Sequence, residues 1–431
     1  MQVPPHIDEP DSARRLKADP QAFLARCHQR YGPVFTVTVE EEKRITYILD
    51  PHAFLPLLTA PEVDFSPASR QSKMRFGLGK VVRTEKDVRA LSTDFIRALR
   101  GKALAEALSV FGSRMEHELQ DFVTSVGDGR RVAVQDLVHK TLMPATTCAL
   151  FGEGVYDTEF TEDFLTFSTS VSTRFAGSDP SLADSGVRAE QALMERLRPV
   201  LDNAATPALE RLKLGVLARP ELNEAERLRT LLMLMWGSMV NLIPTSVWMY
   251  STLIRDPELV ASVRANPEDL IPSIVEETLR LFSRPNMYRQ VTKDFALTLS
   301  TGAQVRLSAG DWVALFPRFL HHDPTVFRDA LSFDARRFCP VNGAKASFVK
   351  DGKPLQHATV VFGLGRGRCP GDSFALSVLA VALKGWVQAL EARSESTPLP
   401  EAVRQTVAST PGPAAAIYAW LKPAGHQEHS P

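Results

Sequence analysis

One run near the C-terminal end constrains this chain more than any other: Phe362-Gly-Leu-Gly365-Arg366-Gly367-Arg368-Cys369-Pro370-Gly371, followed at once by an apolar stretch that reads as a long helix. A single cysteine is thereby placed in a glycine-rich loop at a helix N-terminus. Unpaired backbone N–H groups and the positive end of the helix dipole meet there, so a thiolate is favoured and the thiol pKa is expected to fall. Gly365 and Gly371 let the backbone bend tightly beside something flat and bulky.

A flat group that takes a cysteine thiolate is most simply a haem, whose iron uses that ligand when O–O cleavage is the task. The competing reading is a free cysteine packed at a turn. The spacing separates them. Phe362 seven residues before Cys369, Gly365 four before and Gly371 two after resemble the ligand loop of the cytochrome P450 haem-thiolate family. That resemblance implies haem b as cofactor, Cys369 as its axial ligand, and Phe362, Gly365 and Gly371 packed around the ligand on the proximal side. It also implies the cytochrome P450 fold, mainly α with a smaller β-rich lobe.

The 431 residues carry 50 basic and 50 acidic side chains, so no net field draws the chain to nucleic acid or an anionic membrane. The first residues, Met1-Gln-Val-Pro-Pro-His-Ile-Asp, contain no apolar run of the kind a signal peptide or anchor needs. A soluble, cytoplasmic protein is the expectation. Cys27, Cys148 and Cys339 lack the close spacing of a zinc site or a disulfide scaffold and read as packing residues.

Asp19-Pro20 predicts a capped helix that closes at Tyr31-Gly32. Val34–Val39 and Ile45–Leu49 predict a hairpin around the charged loop 40–44, and Asp50-Pro51 a short helix. From about 85 to 285 the apolar residues recur three and four apart, as in the stretches beginning at Leu193 and Leu228, which predicts a large helical body. Strand-like runs return at Phe295–Leu299, Val313–Phe316 and Ala415–Trp420. The expectation is one domain over 1–431, with a β-rich lobe from about 30–60, 290–320 and the C-terminal strands, and a helical body from about 85–285 and 372–393.

Glu277 and Arg280 stand three apart on a predicted helix, where a bidentate carboxylate–guanidinium pair can form. An exposed pair of that kind contributes only about 0–1 kcal/mol. Their order, followed by Arg337 in Phe333-Asp-Ala-Arg-Arg337-Phe and then the cysteine loop, resembles the same family. The resemblance implies that Glu277, Arg280 and Arg337 form a buried network supporting the haem loop, and that Arg289 pairs with a haem propionate.

Longer stretches resemble the branch of that family containing prostacyclin synthase, cholesterol 7α-hydroxylase and sterol 12α-hydroxylase. They include Pro20-Gln-Ala-Phe-Leu, Tyr31-Gly-Pro-Val-Phe-Thr, Leu49-Asp-Pro-His and Phe348-Val-Lys-Asp-Gly-Lys-Pro-Leu. Without an anchor, the chain looks like a soluble, bacterial-type relative. It departs from the family in two places near the cofactor. Gly367 stands where a propionate-binding Arg or His is usual, which leaves Arg366 or Arg368 to reach a propionate. The haem-contacting Trp-x-x-x-Arg helix is missing, which leaves Lys86, Arg89 and Arg97 as candidates.

The helix implied to cross the other face of the haem contains Gly237-Ser-Met-Val240-Asn241-Leu-Ile-Pro244-Thr245. Val240 and Asn241 replace the acid–threonine pair of most oxygen-activating relatives. Valine cannot relay a proton, and asparagine donates hydrogen bonds without titrating near neutral pH. Pro244 should kink the helix and free a carbonyl. Asn241 and Thr245 share a face, and Asn241, with ordered water, is expected to orient the oxygen being activated.

The preferred reading is a monooxygenase that takes electrons from a ferredoxin and its reductase, docked near Arg366 and Arg368, and inserts one oxygen atom into a hydrophobic molecule. The missing acid–alcohol pair keeps open an isomerase or dehydratase that rearranges a peroxide without outside electrons. A non-catalytic haem sensor is a third class. By resemblance Asn286, Met287, Phe160–Phe175 and Ala414–Ile417 line an apolar pocket for a sterol, terpenoid, lipid or polyketide-like substrate.

Overall fold

The Asp19-Pro20 signal opens a helix at Pro20–Tyr31, whose Asp19 carboxylate accepts the Ala22 amide at 3.0 Å and whose C-terminus is closed by Gly32. The computed structural model describes residues 1–7, 9, 11–39, 43–176, 183–203, 205–403 and 409–425. The two β-branched runs that follow pair antiparallel as Val34–Thr38 and Arg44–Ile48. Residues 40–42 of their charged loop lie outside the described residues. Asp50-Pro51 opens a 3-10 turn at Pro51–Ala53, with Asp50 accepting from the His52 amide.

These strands join a six-stranded sheet in the order His6–Ile7, Val34–Thr38, Arg44–Ile48, Trp312–Leu315, Met287–Val291, Val63–Asp64. Phe295–Thr298 and Gln304–Leu307 form a separate antiparallel pair. The apolar cluster under the sheet contains Ile48, Leu57, Met287 and Leu315, and also Val360 and Leu364. The chain on either side of Phe362 is therefore anchored in the same core as the sheet.

The helical body includes Glu85–Ala98, Gly101–Val126, Val134–Phe151, Phe160–Ala176, Ala183–Asp202, Glu224–Met239, Leu242–Leu253, Pro267–Phe282 and Asp372–Ala389. The spacing of apolar residues shows why. Gly101–Val126 buries Ala103, Ala107, Phe111, Met115, Leu119, Phe122 and Val126, a stripe of one residue per turn. Each large side chain removed from water this way contributes about 1.5–3 kcal/mol. Glu224–Leu253 is also long and apolar enough by composition to span a membrane, but 67% of its apolar window is buried inside the protein.

Two expectations about the C-terminal region need correction. Residues 390–393, expected to continue the preceding helix, are extended: the helix ends at Ala389 and Leu390–Ser394 is a strand. The C-terminal strands also do not join the β-rich lobe. Tyr418–Pro423 lies between Leu390–Ser394 and Arg130–Ala133 in a three-stranded antiparallel sheet. The cause is delivery by neighbouring helices. Asp372–Ala389 packs against Gly101–Val126, so the strand leaving the first meets the strand that follows the second.

Candidate active site

The cysteine loop is shaped by its glycines and by what packs on them. Gly365 has φ +58°, and a Cβ there would come within 2.7 Å of the Leu58 carbonyl oxygen. Gly367 has φ +79°, and its Cβ would meet the Phe65 ring at 2.8 Å. An arginine or histidine at this position would need both an unfavourable backbone and displacement of Phe65. Gly371 differs from expectation: its φ of −94° is open to any residue, and its contribution is the amide it presents to the cysteine.

The Cys369 amide donates to the Phe362 carbonyl at 2.8 Å, which closes the loop, and Phe362 itself packs against the helical core. Cys369 is exposed, at the head of Asp372–Ala389, and its sulfur accepts a hydrogen bond from the Gly371 amide. Its pKa is raised rather than depressed, which corrects the sequence expectation. Desolvation by the surrounding protein is the largest cause and the Asp372 carboxylate adds to it, against the Gly371 hydrogen bond and the charges of Arg100 and Arg368. A cation placed against the sulfur would favour the thiolate in these surroundings.

Asp372 is buried and gathers the local cations. The Arg368 Nε lies 2.5 Å from one carboxylate oxygen, and Arg100 donates to the other and to Ser373. Arg368, one of two arginines expected to reach a cofactor carboxylate, is thus directed to Asp372. Arg100 was not among the candidates Lys86, Arg89 and Arg97, although it lies within the same stretch, residues 85–110. Lys86 is exposed, Arg89 pairs with Asp64 at 2.5 Å, and Arg97 approaches Asp94 at 3.9 Å.

Arg289 is 7% exposed on the strand Met287–Val291, next to the sheet edge. Its guanidinium donates to the carbonyls of Tyr288 at 2.9 Å and Arg366 at 3.2 Å. Among the described residues no carboxylate lies within ion-pair distance of it, and burial lowers its pKa to about 10. A buried cation with only neutral acceptors is suited to an anionic partner.

Behind the loop, Glu277 and Arg280 are fully buried and joined by two hydrogen bonds of 2.7 and 2.8 Å. Arg337 adds a third to Glu277 at 3.0 Å, as does the Asp334 amide at 3.0 Å. Arg280 also donates to the carbonyls of Ala330, at 2.7 Å, and His321. His321 then reaches the ligand loop, its Nε2 accepting from the Val360 amide at 2.9 Å. Sequence reading gave no sign of His321, because a histidine in a short helix has no pattern until its neighbours are placed.

On the distal side the helix breaks at Val240 and Asn241, between Glu224–Met239 and Leu242–Leu253. Pro244 offers no amide to the Val240 carbonyl four residues back. Asn241 Oδ1 accepts from the Thr410 amide at 3.0 Å, which fixes the orientation of its side chain and leaves the NH2 group as its donor. The Thr245 hydroxyl is buried and donates to the Asn241 carbonyl at 2.7 Å. Its proton is committed within the helix.

The expected pocket residues divide. Met287 is buried with its sulfur near Gly363, whereas Asn286 is exposed and lines a cleft beside the sheet. Phe160, Phe164 and Phe167 belong to the helical core. The side chain of Phe175 lies outside those described. Ile417 is buried, and Ala414, Ala415 and Ala416 are exposed.

A helical body joined to a β-rich lobe, with a cysteine loop heading a core helix, defines an oxidoreductase of the haem-thiolate class. The family model described as Cytochrome P450 matches residues 191–417, and the chain belongs to the cytochrome P450 family. It is similar to cytochrome P450 7B1 of Mus musculus, 24% identical over 415 residues covering 86% of this chain and 80% of the relative. Prostacyclin synthase of Homo sapiens is 24% identical over 411 residues, covering 83% and 80%. The 7-alpha-hydroxycholest-4-en-3-one 12-alpha-hydroxylase of Homo sapiens is 33% identical over 196 residues, 39% of each chain. The chain is therefore a P450 of the branch to which those relatives belong.

Membership implies a haem bound through an axial cysteine thiolate. The residues present fit such a group. The surroundings of Cys369 raise its thiol pKa, so a cation at the sulfur would favour its charged form, and Arg289 is a buried cation with only neutral acceptors among the described residues.

Proposed function

We propose that residues 1–431 act as one cytochrome P450 domain that inserts one oxygen atom from O2 into a hydrophobic small molecule, with Cys369 as the axial ligand. The observation that carries this reading is the Cys369 sulfur, at the head of a core helix and hydrogen-bonded to the Gly371 amide. Bound haem supplies the oxygen-activating redox chemistry. Arg100 and Arg368 place positive charge near the sulfur, and the Gly371 amide shares part of its negative charge. Arg289 offers its guanidinium to a haem carboxylate.

Asn241 orients ligands on the distal side through its NH2 group. It holds donors without titrating, and the Thr245 proton is spent on a helix carbonyl, so protons reach this face through ordered water. The substrate class we infer is sterol-like, supported by the names of the hydroxylases this chain is similar to. Electrons come from a separate ferredoxin-type donor, and the protein works in the cytoplasm.

A second reading has specific support. Val240, Asn241 and the committed Thr245 proton leave no titrating relay among them, which suits an isomerase or dehydratase acting on a peroxide without external electrons. One experiment separates the two: haem-loaded protein, a small-molecule extract and labelled O2, with and without ferredoxin and reductase, read by mass spectrometry. Label in a product only when electrons are supplied supports the monooxygenase. A product of unchanged mass formed without electrons overturns it in favour of the isomerase.

A further inference from the structure

A cleft of about 890 Å³ lies away from the cysteine loop, where Leu242–Leu253 and the end of Pro267–Phe282 meet residues 331–336 and 399–402. Trp248, Leu259 and Phe282 give it an apolar wall, and the Trp248 and Phe282 rings stack at 4.7 Å. Its charges do not balance. Among the described residues that line it, Arg255, Arg284, Arg318 and Arg336 outnumber Asp256 and Asp334.

Arg284 and Arg318 are the unusual pair. Both are half-buried, and their charges are close enough to repel. Among the described residues neither side chain donates a hydrogen bond or has a carboxylate in ion-pair range. Arg284 Nε and Arg318 Nη1 are sealed from solvent with no acceptor. Buried guanidinium N–H groups without partners are costly, and nearly all such groups in folded proteins are satisfied.

The neighbours do not cancel this charge. Among the described residues, Asp19 is the one carboxylate whose field reaches both arginines, and its side chain caps the helix Pro20–Tyr31. His322 is held neutral, its pKa lowered to about 4 chiefly by burial. Residues 404–408, which follow the cleft-lining Ala402 in the chain, contain no Asp or Glu.

We propose that this cleft binds an amphipathic organic anion, its carboxylate or phosphate head on Arg284 and Arg318 and its apolar body against Trp248, Leu259 and Phe282. The two half-buried guanidinium groups supply the charge and, at the nitrogens that are not sealed, the donors, and the aromatic wall supplies the apolar surface. None of residues 362–371 lines this site, and binding there does not depend on the reaction proposed for Cys369.

The test is calorimetry on the haem-loaded protein, with its haem pocket saturated by a bulky azole, titrated with dodecanoate, dodecyl phosphate and dodecanol. Either acid should bind at least about tenfold more tightly than the alcohol, and the better acid identifies the head group. Arg318→Gln and Arg284→Gln should each weaken the acid by about tenfold or more, while Arg318→Lys keeps most of the affinity. Equal binding of acid and alcohol overturns the proposal, as does acid binding unchanged in both glutamine variants. If a glutamine variant fails to fold, the wild-type comparison of acid with alcohol and the Arg318→Lys titration still decide it. Acid binding that disappears with the azole present assigns the ligand to the haem pocket and also overturns it.

Discussion

His321 Nε2 accepts the Val360 amide at 2.9 Å while the carbonyl of the same residue accepts from Arg280. One residue thus joins the buried Glu277–Arg280 pair to the segment that enters the cysteine loop. Burial is the main reason its ring is held neutral, with a pKa lowered to about 3, and His322 is lowered to about 4 for the same first cause.

Acid should destabilise the protein through these two rings. Each protonates near 6.5 once unfolded, so below that pH the unfolded chain binds more protons than the folded one. Their contribution is complete above pH 6.5 and is lost as pH falls toward 4 and then 3. Urea midpoints measured between pH 8 and pH 4 should fall below pH 6.5 in the wild type and less steeply in His322→Gln. Parallel curves would remove His322 from the account.

Glu277→Gln should be among the most damaging single substitutions. It leaves Arg280 and Arg337 buried beside a neutral amide, and breaking a buried pair costs about 3–5 kcal/mol. The unfolding midpoint and the haem content of purified protein should fall together. Normal stability with normal haem content would contradict the supporting role assigned to the pair.

Restoring an arginine at Gly367 should harm this protein, although family members commonly have one there. The left-handed backbone at φ +79° costs about 1–2 kcal/mol for a residue with a side chain, and Phe65 fills the space. Gly367→Arg should lower haem retention, and adding Phe65→Ala should recover part of it. A single variant as stable as wild type would show that Phe65 moves freely.

Asn241→Ala removes the acceptor of the Thr410 amide, a loss of about 1 kcal/mol in stability. The larger effect is expected in catalysis, as less product per electron consumed with haem content unchanged. Full turnover with full coupling would rule out the orienting role.

Several pairings that hold the site together leave no trace in the chain's local pattern. Arg100 and Asp372 are 272 residues apart, His321 and Val360 belong to different elements, and the strand Arg130–Ala133 pairs with a partner nearly three hundred residues away. Such pairs have no local period, so no window of sequence contains them.

The helical periodicity, the Asp19 cap, the hairpin, and the cysteine loop with its Glu277, Arg280 and Arg337 companions were all legible in the chain, because each depends on spacing between nearby residues or on motif order. The distribution of charge and hydrogen bonds among them came only with folding. Desolvation by the surrounding protein raised the Cys369 pKa, Arg368 turned toward Asp372, Arg289 met no carboxylate among the described residues, and Phe65 filled the space over Gly367. Desolvation and packing depend on every neighbour in three dimensions, and those neighbours are brought together only by the fold.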